Sequence, residues 1–271
     1  MGALDYDPIA AEYDRRYAVN DYSGVQAAIL AFAADIPSGR VLEVGCGTGH
    51  WLRAIEGAAV RAAGVDRSAN MLRYARRSAP RSALVRATAG RLPWRDGAFD
   101  RLYCVNALHH FDDKAGFIDE ARRVLAPGGR LLTIGLDPHT HADRWYIYEY
   151  FAPVLQLDRE RYPSAARIRE WLQAAGFTDV DTREVQHLPT RLSAGVALDD
   201  GRLAKHVTSQ LALLTDEQYE EGLQRIRRAM REAEARGDTL WLTADLRLYG
   251  TYATAPRSAA THTPSPTPQY G

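Results

Sequence analysis

Lysine is nearly absent from this 271-residue chain: Lys114 and Lys205 are the only two among 34 basic residues. That bias reads as codon composition. The formal net charge is zero, so bulk electrostatics give no argument for a nucleic-acid or anionic-membrane partner. Cysteine is as scarce. Cys46 and Cys104 are isolated, which excludes a disulfide framework and fits a reducing, cytoplasmic compartment. No run of about 18 apolar residues is available for a membrane span. The opening M-G-A-L-D-Y-D-P lacks a signal-peptide core, and Tyr6 stands where a myristoylation site needs Ser or Thr. No internal repeat is visible. What remains, 46% apolar and 25% charged residues, is ordinary for a globular protein of one large α/β domain with insertions.

The most informative stretch is Arg40–His50, R-V-L-E-V-G-C-G-T-G-H. Val41, Leu42 and Val44 predict a short buried strand. Gly45, Gly47 and Gly49 then allow a tight turn whose N–H groups can approach a ligand closely. His50–Ile55 is helix-compatible. Strand, glycine loop and helix in this order form the nucleotide-binding corner of an open α/β sheet. The dinucleotide fingerprint is absent, because its third glycine would fall at His50. Glu43, just before the turn, would repel a pyrophosphate and suits a ligand carrying positive charge.

Val41–Gly49 resembles the first motif of the class I S-adenosylmethionine-dependent methyltransferases, a resemblance that runs over residues 10–136. It implies S-adenosylmethionine as cofactor, with Glu43, Gly45, Cys46, Gly47, Thr48 and Gly49 around it. Asp66 lies 21 residues past Gly45, close to the roughly 20-residue spacing of a ribose-binding carboxylate, and the family uses this position so. Ser68 is an N-cap for the helix Ala69–Ser78, with Arg67 and Met71 toward the cofactor. The third strand, Ala83–Arg86, leads into A-T-A-G-R-L-P-W-R-D-G-A-F-D, the family's adenine-contacting segment. The usual acidic residue there is Thr88, so adenine recognition passes to Thr88, Ala89 or Gly90. The fourth strand, Phe99–Val105, ends in N-A-L-H-H-F. Asn106 and Ala107 fall at the cofactor's methyl-bearing end, and His109 or His110 is placed to act as base. This is not the Asn/Asp-Pro-Pro-Tyr/Phe motif of nucleobase methylation. The tyrosine-rich N-terminus resembles the family's lid, with Tyr13 over the cofactor and Tyr17 toward the substrate, or else both simply pack.

Five strands alternating with helices predict a Rossmann-like, doubly wound and mostly parallel sheet, here of seven strands, and the resemblance implies that the last is antiparallel. Lys114–Leu125 is a helix, A-P-G-G-R a turn and Leu131–Leu136 the fifth strand. Asp137–Phe151 is aromatic and polar together, which suits either the packing face of a lid or the wall of a substrate pocket; on the second reading His139, Trp145, Tyr146 and Glu149 are substrate-binding candidates. His139-x-His141-x-Asp143 has no further ligand nearby, and no metal is expected. Ser164–Gly176 is an amphipathic helix, and Phe177–Leu188 and Leu240–Tyr252 are the last strands. Between them, Arg191–Gly237 forms a two-helix insert that caps the site or makes a dimer contact. The expected organisation is a lid at 1–36, a core at 37–190 with an aromatic insert at 137–160, the helical insert at 191–238, a final strand at 239–254 and a disordered tail at 255–271. The expected activity is methyl transfer to an O, N or C atom of a small, secondary-metabolite type molecule. Two alternatives stay open: a non-methylating relative using the sulfonium for cyclisation, and a nicotinamide-dependent oxidoreductase.

Overall fold

The computed structural model describes residues 14, 17, 20–34, 36, 39–58, 60–140 and 142–257. Tyr13, His141, half of the expected lid and nearly all of the expected tail lie outside them.

Eight strands form one sheet. Strands β1 (Arg40–Val44), β2 (Arg61–Asp66), β3 (Ala83–Arg86), β4 (Phe99–Val105) and β5 (Leu125–Gly135) are parallel in the order 3-2-1-4-5. The A-P-G-G-R stretch expected as a turn lies inside β5. It is accommodated by an irregularity, Phe99 pairing with Leu125 and Arg101 with Arg130. β6 (Arg144–Trp145), β7 (Thr178–Ser193) and β8 (Trp241–Thr254) complete the sheet. β8 runs antiparallel to β5, as expected of the last strand. The sequence reading has one strand too few, because β6 is only two residues long and is stabilised by pairing with Ala244 and Asp245 of β8. β7 also runs five residues beyond the expected Leu188, through Pro189. Proline is tolerated there because β7 is an edge strand.

Helices cover both faces. α1 (Ser23–Ala34) and α2 (His50–Ile55) bury Ile29, Phe32, Trp51 and Leu52 on one side. The Gln186 side chain accepts from the Gly24 N–H at 2.6 Å, capping α1 and tying it to β7. α3 (Ala69–Ser78) follows β2, and its N-cap is Ser68, whose hydroxyl accepts from the Met71 N–H. On the other side α4 (Lys114–Val124) buries Phe117 and Ile118, close to Leu172 of a helix described below.

The region after β5 builds a core of its own. α5 (Tyr146–Tyr150), α6 (Val154–Arg161), α7 (Ala165–Ala174), α8 (Ala194–Asp199), α9 (Ser209–Ala212) and α10 (Asp216–Glu234) follow in turn. Ile147, Phe151, Leu211, Leu223 and Ile226 pack together against Leu242 of β8, while Leu172 of α7 joins the core under α4. Gly222 on α10 is required: a Cβ there would overlap the Phe151 ring. The insert expected as two helices has three between β7 and β8, the short α9 having too little sequence to show a helical period. The long α10 starts as expected at Thr215, which forms a capping box with Gln218.

Candidate active site

β1 ends in a loop whose glycines sit at positive φ, Gly45 at 74°, Gly47 at 51° and Gly49 at 81°. Gly45 is needed twice over, since a Cβ on it would lie 2.5 Å from that of Ala107. Its N–H and that of Cys46 both reach the Val65 carbonyl, at 2.8 and 3.0 Å, which pins the loop to β2. The Gly47 N–H donates to Oδ2 of Asp66 at 2.9 Å, and the Ser68 N–H to Oδ1 at 2.8 Å. Burial pushes the Asp66 carboxyl up, opposed by those two N–H donors.

A cleft of about 880 Å³ opens over this loop at the carboxyl ends of the parallel strands. Gly45, Gly47, Asp66, Arg67, Met71, Thr88, Ala89, Gly90, Asn106 and Ala107 line it. Four residues read as cofactor contacts do not. Glu43 is 1% exposed inside the sheet and accepts from the Tyr103 hydroxyl at 3.1 Å. Burial pushes its carboxyl up, opposed by the Tyr103 hydroxyl, and the side chain faces that tyrosine inside the sheet. The signal was present, since Tyr103 in a buried strand needs a hydroxyl partner. Cys46 packs against Gly64 behind the loop. Thr48 is buried, donating to Oδ1 of Asp14 at 2.5 Å and accepting through its carbonyl from the Ser78 hydroxyl. Gly49 is the left-handed N-cap of α2. Ser68, Arg86 and Phe111 line the cleft without having been singled out as ligands. Arg86, ending β3, was findable from the rule that ligands gather at carboxyl strand ends.

A second cavity, of about 550 Å³, lies alongside. Trp145 and Tyr146 line it, but the other expected substrate residues do not. His139 donates from Nε2 to the Tyr162 carbonyl at 2.9 Å. Glu149 lines a separate cleft with Arg159. Tyr17 stacks on His50, ring centroids 3.6 Å apart, with an edge toward Tyr22. The wall contains instead Tyr22, Tyr162, the 200–210 segment and the outer halves of β7 and β8. Only folding of the hairpin back over the strand ends brings these together.

The two cavities share two residues, Asn106 and His110. Asn106 holds a positive φ of 48°, an uncommon conformation that asparagine tolerates, and its N–H reaches the Ile134 carbonyl at 2.8 Å. The following 3₁₀ turn, Leu108–His110, carries two imidazoles with 3.8 Å between ring centroids. His110 borders both cavities. His109, 7% exposed, borders the second and stacks on Tyr162, with 3.8 Å between centroids and 16° between planes. Among the described residues no group of three His, Cys, Asp or Glu is placed to hold a metal, and no helix is long and apolar enough to cross a membrane.

Residues 42–133 match the family model described as a methyltransferase domain. A demethylmenaquinone methyltransferase of Tropheryma whipplei is 39% identical over 94 residues, 34% of this chain and 39% of that protein. The chain thus aligns with about two-fifths of that relative's length. The crystal structure of YcgJ from Bacillus subtilis superposes with a TM-score of 0.59 at 20% identity, covering 88% of this chain and all of that one. The [4+2]-cyclase SpnF superposes with a TM-score of 0.54 at 22% identity, covering 86% of this chain and 81% of SpnF. These two likenesses concern the fold.

Proposed function

We propose, from the premise that residues 42–133 are a class I S-adenosylmethionine-dependent methyltransferase domain, that this protein transfers a methyl group to a small molecule held in the second cavity. The observation that carries the reading is the junction: a cofactor-sized cleft and a separate cavity meet at Asn106 and His110.

The residues present fit the cofactor. Gly45 and Gly47 keep the loop backbone bare on the cleft side, and the Asp66 carboxylate ends β2 beside them, where it can accept from ribose hydroxyls. Thr88, Ala89 and Gly90 form the edge that would meet the adenine, and Asn106 and Ala107 lie at the junction side. When bound, S-adenosylmethionine supplies a methyl group on a positively charged sulfur. The protein's remaining tasks are alignment and exclusion of water, and orientation alone can contribute ~7–11 kcal/mol. A proton acceptor is needed only where the acceptor atom must lose a proton. His110, bordering both cavities, is the first candidate, and His109 the second. The N-terminal segment supports a covering role, since Asp14 and Tyr17 rest on Thr48 and His50 of the loop and α2. Two buried free thiols, Cys46 and Cys104, fit a reducing, cytoplasmic compartment.

The test is incubation with methyl-labelled S-adenosylmethionine and a panel of hydroxyl, amine and carbon-acid compounds. The reading expects S-adenosylhomocysteine to form in step with labelled product. Product without S-adenosylhomocysteine would favour a cyclisation of the SpnF kind, and saturable NAD binding would favour an oxidoreductase.

A further inference from the structure

Alternate residues of β7 and β8 make the floor of the second cavity, Leu188, Thr190 and Leu192 on one strand and Ala244, Leu246 and Leu248 on the other. Leu188 faces Leu246, and Thr190 faces Ala244, directly across the ladder. Residues two apart on a strand share a face, so this floor is continuous and mostly apolar. Trp145, Tyr146 and Tyr162 border the same space.

Polar groups deep in the wall bind one another. Gln210, 6% exposed, donates from Nε2 to Oδ2 of Asp158 at 3.0 Å and to the Tyr162 hydroxyl at 3.2 Å. Its Oε1 accepts from the Ser209 hydroxyl at 3.2 Å. Asp158 itself is closed off from the cavity, held by Arg161 at 2.6 Å and by the Tyr148 hydroxyl at 3.0 Å. Among the lining residues only Asp200 and Arg202 are Asp, Glu, Lys or Arg. They are exposed and bind each other, Arg202 Nε to Asp200 Oδ2 at 2.6 Å. The other ionisable groups bordering the space are the imidazoles of His109, His110 and His206 and the phenols of Tyr22, Tyr146 and Tyr162, so an ion entering here would leave water for a wall whose only fixed charges already bind each other. An apolar ring would gain from each part of its surface removed from water.

We propose that the acceptor is an uncharged, mostly apolar, ring-bearing molecule lying on the leucine floor between Trp145, Tyr146 and Tyr162. Its role as acceptor rests on the cofactor reading of the neighbouring cleft; its binding rests on the cavity wall alone.

Calorimetry of the whole chain at pH 7 tests this, with 2-naphthol as the uncharged probe and 2-naphthoate and 2-naphthylmethylammonium as its anionic and cationic counterparts. Each is titrated with and without S-adenosylhomocysteine. 2-Naphthol should bind at least tenfold more tightly than either ion. Thr190→Trp, which fills the floor, and Leu246→Ser, which makes it polar, should each weaken 2-naphthol at least fivefold and leave S-adenosylhomocysteine affinity within twofold. An ion binding as tightly as 2-naphthol overturns the inference. So does 2-naphthol binding that ignores both substitutions in folded protein, or no 2-naphthol binding at all. If S-adenosylhomocysteine fails to bind while 2-naphthol still responds to the floor substitutions, the cofactor reading falls and the uncharged-ligand site stands.

Discussion

The Gly47 N–H donates to Oδ2 of Asp66 at 2.9 Å, making the glycine loop and the end of β2 one unit. The same carboxylate takes the Ser68 N–H at the start of α3 and still lines the cleft. Asp66→Ala should therefore lower S-adenosylmethionine affinity at least tenfold, through loss of the ribose acceptor and loosening of the loop. Calorimetry on variant protein with an unchanged circular-dichroism spectrum measures it, and unchanged affinity would remove Asp66 from the site.

Gly45 and Ala107 are a packing pair. A Cβ on Gly45 would lie 2.5 Å from the Ala107 Cβ, and φ is 74°. Gly45→Ala should destabilise the fold and abolish measurable cofactor binding. Adding Ala107→Gly relieves the contact but not the left-handed strain of about 1–2 kcal/mol. The double variant should thus recover part of the lost melting temperature, and a double variant no better than the single one would show that the contact is not the cause.

His110 borders both cavities, and His109 only the second. For an acceptor that must lose a proton, His110→Ala should lower kcat by roughly a hundredfold or more, with S-adenosylhomocysteine affinity within threefold of the parent. His109→Ala should act chiefly on the acceptor KM, through its stacking on Tyr162. The reverse split would transfer the proton-accepting role to His109.

Burial pushes the Asp143 carboxyl from 3.8 up to about 6, with Asp137 and Asp245 adding repulsion and Arg247 opposing it. Its Oδ2 is buried with no hydrogen-bond partner among the described residues. An acid whose folded-state pKa is raised binds its proton more tightly folded than unfolded, so stability falls as pH rises from about 4 to 6 and the penalty persists above. Partial exposure of the side chain reduces it to about 1 kcal/mol. Asp143→Asn, matching the protonated form, should melt like the parent near pH 4 and about 2–4 °C higher above pH 6.5. Equal melting temperatures across that range would contradict the assignment.

Local chemistry carried most of the core. The apolar run Val41–Val44, the glycines that follow, Asp66 and the Ser68 cap act within a few residues of themselves, and the elements form where those residues place them. The acceptor side was much less legible. Leu188, Leu246, Tyr162 and the 200–210 segment become neighbours only through a long hairpin and its insert, and no window of sequence shows that convergence. Glu43, Cys46 and Thr48 lie off the cleft for a different reason. They stand beside the loop glycines, but backbone direction turns their side chains into the sheet or behind the loop. Trp145 and Tyr146 were legible from the aromatic and polar composition of their stretch, although the two-residue strand and five-residue helix that carry them are too short to show a period.

Titration of the purified chain with S-adenosylmethionine, S-adenosylhomocysteine and NAD tests the central claim most directly. The account predicts one site of micromolar affinity for the first two, lost in Asp66→Ala, and no saturable NAD binding. Well-folded protein that binds neither S-adenosyl compound would contradict it, leaving the cleft over Gly45 and Gly47 with another ligand and this chain with the fold alone.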